Sequence, residues 1–133
     1  MRELIYAVVE AFYEKATNDV LIGYQFARFR EPATLSHHLE RITTFWEMQF
    51  TGQITKPLEG NPFRLMLTHL QLNIRRGELG RWVVLFHQTL DELEKSVTPE
   101  ELELVGPLVA EWKKRIAFFE ERFKSHPQMF TQK

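Results

Sequence analysis

Apolar residues recur at spacings of three and four along most of the chain, and glycine, proline and polar residues separate these stretches. Residues 3–16 carry the first stripe: Leu4, Ile5, Val8, Val9, Phe12 and Tyr13 share one helical face. Tyr13 falls at the edge of that face, where a tyrosine packs its ring and sends its hydroxyl to solvent, to a carbonyl or into a cavity. Asn18-Asp19 ends the helix. From Val20 to Phe29 the pattern predicts a short irregular helix weakened by Gly23, then a turn at Arg30-Glu31-Pro32. Thr34 or Ser36 is the expected N-cap of the next helix, which runs to about Phe50. Its broad apolar face holds Leu35, His38, Leu39, Ile42, Phe45, Trp46, Gln49 and Phe50; Glu40, Arg41, Thr44 and Glu47 lie opposite.

Thr51 to Asn61, with Gly52, Pro57 and Gly60, reads as a loop longer than most helix connections. A brief apolar helix is expected over Pro62–Leu72. Leu65, Met66, His69 and Leu72 share its face. A histidine in that setting is either a core residue bonded to a carbonyl or the ligand of a buried metal. Arg75-Arg76-Gly77 is expected to close this helix, with cations and a glycine at its C-terminus. Glu78 to about Lys95 forms the next, burying Trp82, Leu85, Phe86, Thr89, Leu90 and Leu93. Thr98-Pro99-Glu100-Glu101 opens the last helix with a threonine cap, a first-turn proline and a glutamate three after the cap. That helix runs to about Lys124 on a stripe of Val105, Leu108, Val109, Trp112, Ile116, Phe119 and Phe123. The tail, from about 125 to 133, has no periodicity and should fray. No strand pattern and no internal repeat occur, so the expected fold is all-α, with about six unequal helices.

Composition narrows the chemistry. The 133 residues fit one domain, with 11 Phe and 3 Trp available as walls for a flat apolar guest or as an aromatic core. The net charge is −1 and no basic stripe marks a nucleic-acid face. The absence of cysteine removes disulfides, thiolate metal sites and cysteine nucleophiles. Glu3 and Glu10 interrupt the first apolar stretch, so no secretory signal is read there. No apolar run reaches the ~18 residues of a membrane span, and a soluble, cytoplasmic protein is expected.

No serine stands in a glycine-flanked elbow, which removes a nucleophilic triad. Asp91-Glu92 and Glu100-Glu101 read as solvated faces or caps, and no Glu-x-x-His supports a di-iron site. His37 and His38 are adjacent and diverge by about 100°, so they chelate poorly. A zinc site would have to assemble His38, His69 and His87 without a motif. Haem asks for less: one neutral imidazole for the iron and an apolar shell for the ring.

The chain resembles the truncated haemoglobins, specifically group III, the P subset. The resemblance spans Leu4 to about Phe123. It rests on Phe12-Tyr13-Glu14-Lys15, on Phe26 closing the second segment, and on His38 eight residues before Trp46. It rests further on His69 in Leu-Thr-His-Leu and on Trp82 and Phe86 in Trp-Val-Val-Leu-Phe.

What it implies is a globin-like, truncated two-over-two helical sandwich, with helices B and E crossing G and H. One domain over 1–133 would hold haem b (iron protoporphyrin IX), with His69 as proximal iron ligand. Tyr13, His38, Ile42 and Trp82 would line the distal side. Phe12, Phe26, Phe45, Trp46, Leu65, Met66, Leu72 and Phe86 would form the haem pocket, and Arg41, Arg75 or Arg76 would meet the propionates. The segment between His69 and Trp82 lacks the proline-rich turn of some members. The implied function is reversible binding of oxygen, carbon monoxide or nitric oxide, in scavenging or detoxification, with nitric oxide dioxygenation or peroxidase-like turnover within its reach. Expected partners are the gas and a reductase, on a monomer or weak homo-oligomer. The competing readings are a haem-free interaction or sensor module on the same scaffold and a non-haem helical metalloprotein.

Overall fold

The computed structural model describes residues 1–52 and 76–125. Among them lie α1 (Arg2–Thr17), a 3-10 helix (Gly23–Arg30), α2 (Pro32–Thr51), α3 (Arg76–Ser96) and α4 (Pro99–Ser125), and no strand. The described chain is therefore all-α, as its periodicities predict. The expected helix Pro62–Leu72 lies outside the described residues, with Leu65, Met66, His69, Leu72 and Arg75. So do most of the preceding loop, the side chain of Arg76 and the tail beyond Ser125. The chain divides into two compact units, Met1–Thr68 and His69–Lys133.

In the first unit, α1 packs on α2 and on the 3-10 helix. Its stripe buries Ile5, Val8, Val9, Phe12 and Ala16, and Leu4 and Tyr13 are half-buried at its margins. After α1 the Asp19 carboxylate accepts from the amides of Leu21 and Ile22 at 3.0 and 3.2 Å, turning the chain. The Gly23 amide then donates to the Asp19 carbonyl at 2.9 Å. A Cβ on residue 23 would stand 2.9 Å from the Thr17 carbonyl oxygen, so this close return against the end of α1 requires glycine. In a 3-10 helix residues three apart eclipse one another. Phe26 and Phe29 obey that spacing and are both buried, whereas Leu21 and Tyr24 remain exposed.

The N-cap of α2 is Glu31, not Thr34 or Ser36. Its two carboxylate oxygens accept from the amides of Ala33 (3.1 Å) and Thr34 (2.6 Å), and Pro32 occupies the first helical position. A glutamate reaches these amides with its longer side chain, which displaces the start from the nearby hydroxyl residues. Bonds from the Thr34 hydroxyl and these amides hold the Glu31 carboxyl below its usual range. Gly52 ends the helix in the left-handed region (φ 72°), its amide donating to the Met48 carbonyl.

The face of α2 opposite its apolar stripe is not a solvent face. Thr44 and Glu47 are buried there, against Arg2 of α1. The Arg2 guanidinium donates to Thr44 Oγ1 (3.1 Å), Glu47 Oε1 (3.2 Å), Glu40 Oε2 (2.9 Å) and the Glu40 carbonyl (3.3 Å). The planar fork answers several oxygens at once, which lets a carboxylate leave water.

In the second unit, α3 and α4 pack together. Leu79, Leu85, Thr89 and Leu90 are buried on α3, and Val105, Val109, Trp112, Ile116 and Phe123 on α4. Arg76 and Gly77 belong to α3, and the helix they are expected to close lies outside the described residues. Helix α4 continues through Pro107. Asp91 and Lys113 form an ion pair at 2.7 Å across the two helices, and the Glu101 carboxylate joins a cap. In that cap the Glu101 amide donates to Thr98 Oγ1 at 3.2 Å, and the Thr98 amide donates back to Glu101 Oε1 at 3.0 Å. Loss of the cap hydroxyl in Thr98→Ala should lower stability by about 1 kcal/mol, read as a shifted urea midpoint at unchanged slope.

Candidate functional site

Chemistry-bearing side chains converge between α1, the 3-10 helix and α2. Tyr13, near the end of α1, meets His38, in the second turn of α2, with 2.6 Å between the phenolic oxygen and Nε2. If the imidazole carries its proton on Nδ1, the hydroxyl donates to Nε2; in the other tautomer Nε2–H donates to the hydroxyl. Among the described residues, four aromatic rings pack around Tyr13. Phe12, Phe26 and Phe29 stand edge-on to it at centroid distances of 5.6, 5.4 and 5.5 Å, and the His38 ring lies at 5.1 Å. Phe29 also stacks on the imidazole, 4.2 Å between centroids and 23° between planes. The Arg28 guanidinium lies over the Phe29 ring, 4.6 Å from its centroid.

Burial pushes the Tyr13 phenol well above its ordinary range, and the positive charge of Arg28 offsets only part of that. The phenol is therefore a neutral hydroxyl throughout the physiological range. In the unfolded chain it ionises near pH 10. Above that pH the unfolded state releases a proton that the native state keeps. This contribution to stability is complete below about pH 10 and fades as the pH rises further, by about 1.4 kcal/mol per unit. Between pH 9 and 11 the parent should lose about 1.4 kcal/mol more stability than Tyr13→Phe, measured by urea unfolding at both values.

The sequence-predicted residues separate into groups. Tyr13, His38, Phe12 and Phe26 are brought together in this box. Phe45 and Trp46 are buried further along α2, edge-on to one another at 5.4 Å, and Trp46 stacks on Phe50. Ile42 is half-buried one turn beyond His38. Arg41 is half-buried too, and its Nε is enclosed without a hydrogen-bond partner. Trp82 and Phe86 belong to the second unit, half-buried on α3 four residues apart, with Phe86 5.6 Å from the Trp112 ring. His69, Leu65, Met66, Leu72 and Arg75 lie outside the described residues, as does the side chain of Arg76. No cluster of three or more metal-ligating side chains occurs among the described residues, and none of their helices is long and apolar enough to cross a membrane.

Phe29 is the site residue that the sequence reading leaves among the merely apolar positions. The signal that marks it is the period of three from Phe26, which only a 3-10 helix converts into a shared edge.

No family model, curated protein or solved structure matches the chain.

Proposed function

We propose that the chain is a haem protein of the truncated-haemoglobin kind, group III, binding a diatomic gas beside Tyr13 and His38 with His69 as the proximal ligand. The observation that carries this reading is the 2.6 Å contact of phenol and imidazole inside a wall of phenyl rings. Two polar groups held together in apolar surroundings are what a site for a small polar ligand requires. The enclosed Nε of Arg41, which makes no hydrogen bond, suits the propionate role that the resemblance implies for this residue. In this reading α1 and α2 are helices B and E, and α3 and α4 are G and H of a two-over-two sandwich. Trp82 then adds an indole donor from helix G.

Bound haem would supply the iron that takes the gas; the polar selectivity belongs to the chain. Tyr13 keeps its proton and so stays a donor toward the negative charge that gathers on a diatomic ligand. Each such charge-assisted bond contributes about 1.5–3 kcal/mol. The tautomer of His38 decides where that single phenolic proton points: with Nε2–H donating to the phenolic oxygen the Tyr13 O–H is left for the ligand, and with Nε2 bare it turns to the imidazole. Phe12, Phe26 and Phe29 exclude water, which would compete for the same donors.

An absorption spectrum of the purified full chain, reconstituted with haem and joined to metal analysis, tests the proposal. A Soret band that shifts with carbon monoxide is the expected result. Protein that stays colourless after reconstitution overturns it in favour of a haem-free module, and bound metal without that band overturns it in favour of a non-haem site.

A further inference from the structure

We propose that Tyr13 and His38 form a redox-active pair, in which Tyr13 yields one electron to a one-electron oxidant as its phenolic proton moves to His38 Nε2. The proposal rests on the geometry of the pair and needs no haem. One electron leaves the phenol and reduces the oxidant by one. The O–H bond of Tyr13 breaks and an N–H bond forms on the imidazole. The products are a neutral tyrosyl radical, a protonated His38 and the reduced oxidant.

Three observations point this way. The first is the acceptor. Loss of an electron makes a phenol strongly acidic, and the 2.6 Å separation from Nε2 lets the proton cross within an existing hydrogen bond. The second is the enclosure. Phe12, Phe26 and Phe29 surround the ring, shielding a radical from water and from a second phenol. The buried hydroxyl does not ionise beforehand at neutral pH, so the proton does not leave ahead of the electron. The third is the destination of the charge. The imidazolium would lie under the face of Phe29, stacked at 4.2 Å, an arrangement that favours a cation. Arg28 lies over the same phenyl ring and its charge works against this gain, while its exposed position leaves that repulsion screened by solvent. Of the other two tyrosines, Tyr24 is exposed and its hydroxyl accepts from Gln25.

The test oxidises the full chain with photogenerated tris-bipyridyl ruthenium(III), using persulfate as the terminal acceptor, and traps the product by freezing for electron paramagnetic resonance. The expected product is a neutral tyrosyl signal that narrows with ring-deuterated tyrosine, persists in Tyr6→Phe/Tyr24→Phe and vanishes in Tyr13→Phe. In His38→Gln its yield should fall by about tenfold or more, the effect of losing one strong hydrogen bond. Its formation in the parent should be slower in deuterated water. A signal that survives Tyr13→Phe, one that arises only from tryptophan, or equal rates in light and heavy water would overturn the proposal. The last comparison decides the matter even if His38→Gln fails to fold. A Soret spectrum recorded on the same sample before oxidation keeps this outcome separate from that of the haem reading.

Discussion

In the proposed haem protein, replacing Tyr13 with phenylalanine should speed oxygen release by about 10- to 150-fold, the kinetic equivalent of losing one charge-assisted hydrogen bond worth about 1.5–3 kcal/mol. The substitution keeps the ring, and with it the edge contacts to Phe12, Phe26 and Phe29. What disappears is the hydroxyl alone. Stopped-flow displacement of oxygen by carbon monoxide measures the effect directly. Association should change less, because affinity differences of this kind appear mainly in the off-rate. Trp82→Leu should act in the same direction if its indole serves as the second donor. Unchanged off-rates in both variants would remove these residues from the ligand's surroundings. His38→Ala, measured beside them, separates a donor from a gate: loss of a donor raises the off-rate, whereas loss of a gate raises the rates of entry and exit together.

Arg2→Ala should cost about 3 kcal/mol of unfolding free energy, far more than an ordinary charged residue so close to a chain end. The Arg2 side chain is only 13% exposed and that of Glu47 only 4%. Removing the guanidinium withdraws a 3.2 Å contact from a carboxylate already out of water, together with a donor to Thr44. The contribution from Glu40 is smaller, since 41% of that side chain is exposed. Chemical denaturation of the single variants and of Arg2→Met/Glu47→Leu completes the test. The double variant should recover most of the loss, because two apolar side chains replace a pair whose burial is itself costly. A loss below about 0.5 kcal/mol for Arg2→Ala would mean that the cluster behaves as a surface ion pair.

The apolar stripes were the most legible part of this chain. Ile5, Val8, Val9 and Phe12 on α1, and Val105, Val109, Trp112 and Ile116 on α4, are buried where a period of 3.6 puts them. The start of α4 was legible for a local reason: Thr98 and Glu101 need only each other's backbone. Residues whose state depends on a distant partner were harder to read. Glu47 reads as a solvated charge until Arg2, 45 residues earlier, is brought beside it. Glu31 does not read as a cap in the sequence, because serine, threonine, aspartate and asparagine dominate that position. Arg76-Gly77 has the composition of a helix end yet belongs to α3, showing how little a single glycine decides. The Tyr13–His38 pair spans 25 residues and could not be read from periodicity. Only the resemblance to truncated haemoglobins put both residues in one site, and it left out Phe29, which needs the 3-10 geometry.

The bare backbone at Gly23 sets the height at which two phenyl rings hang beside the phenol. A methyl group there would press on a carbonyl oxygen, which cannot swing aside as the tip of a flexible side chain can. The strain would pass into the following turns and carry Phe26 and Phe29 with it. Gly23→Ala should therefore disturb the proposed gas escape and the proposed radical's lifetime together, although residue 23 has no functional group to offer either process.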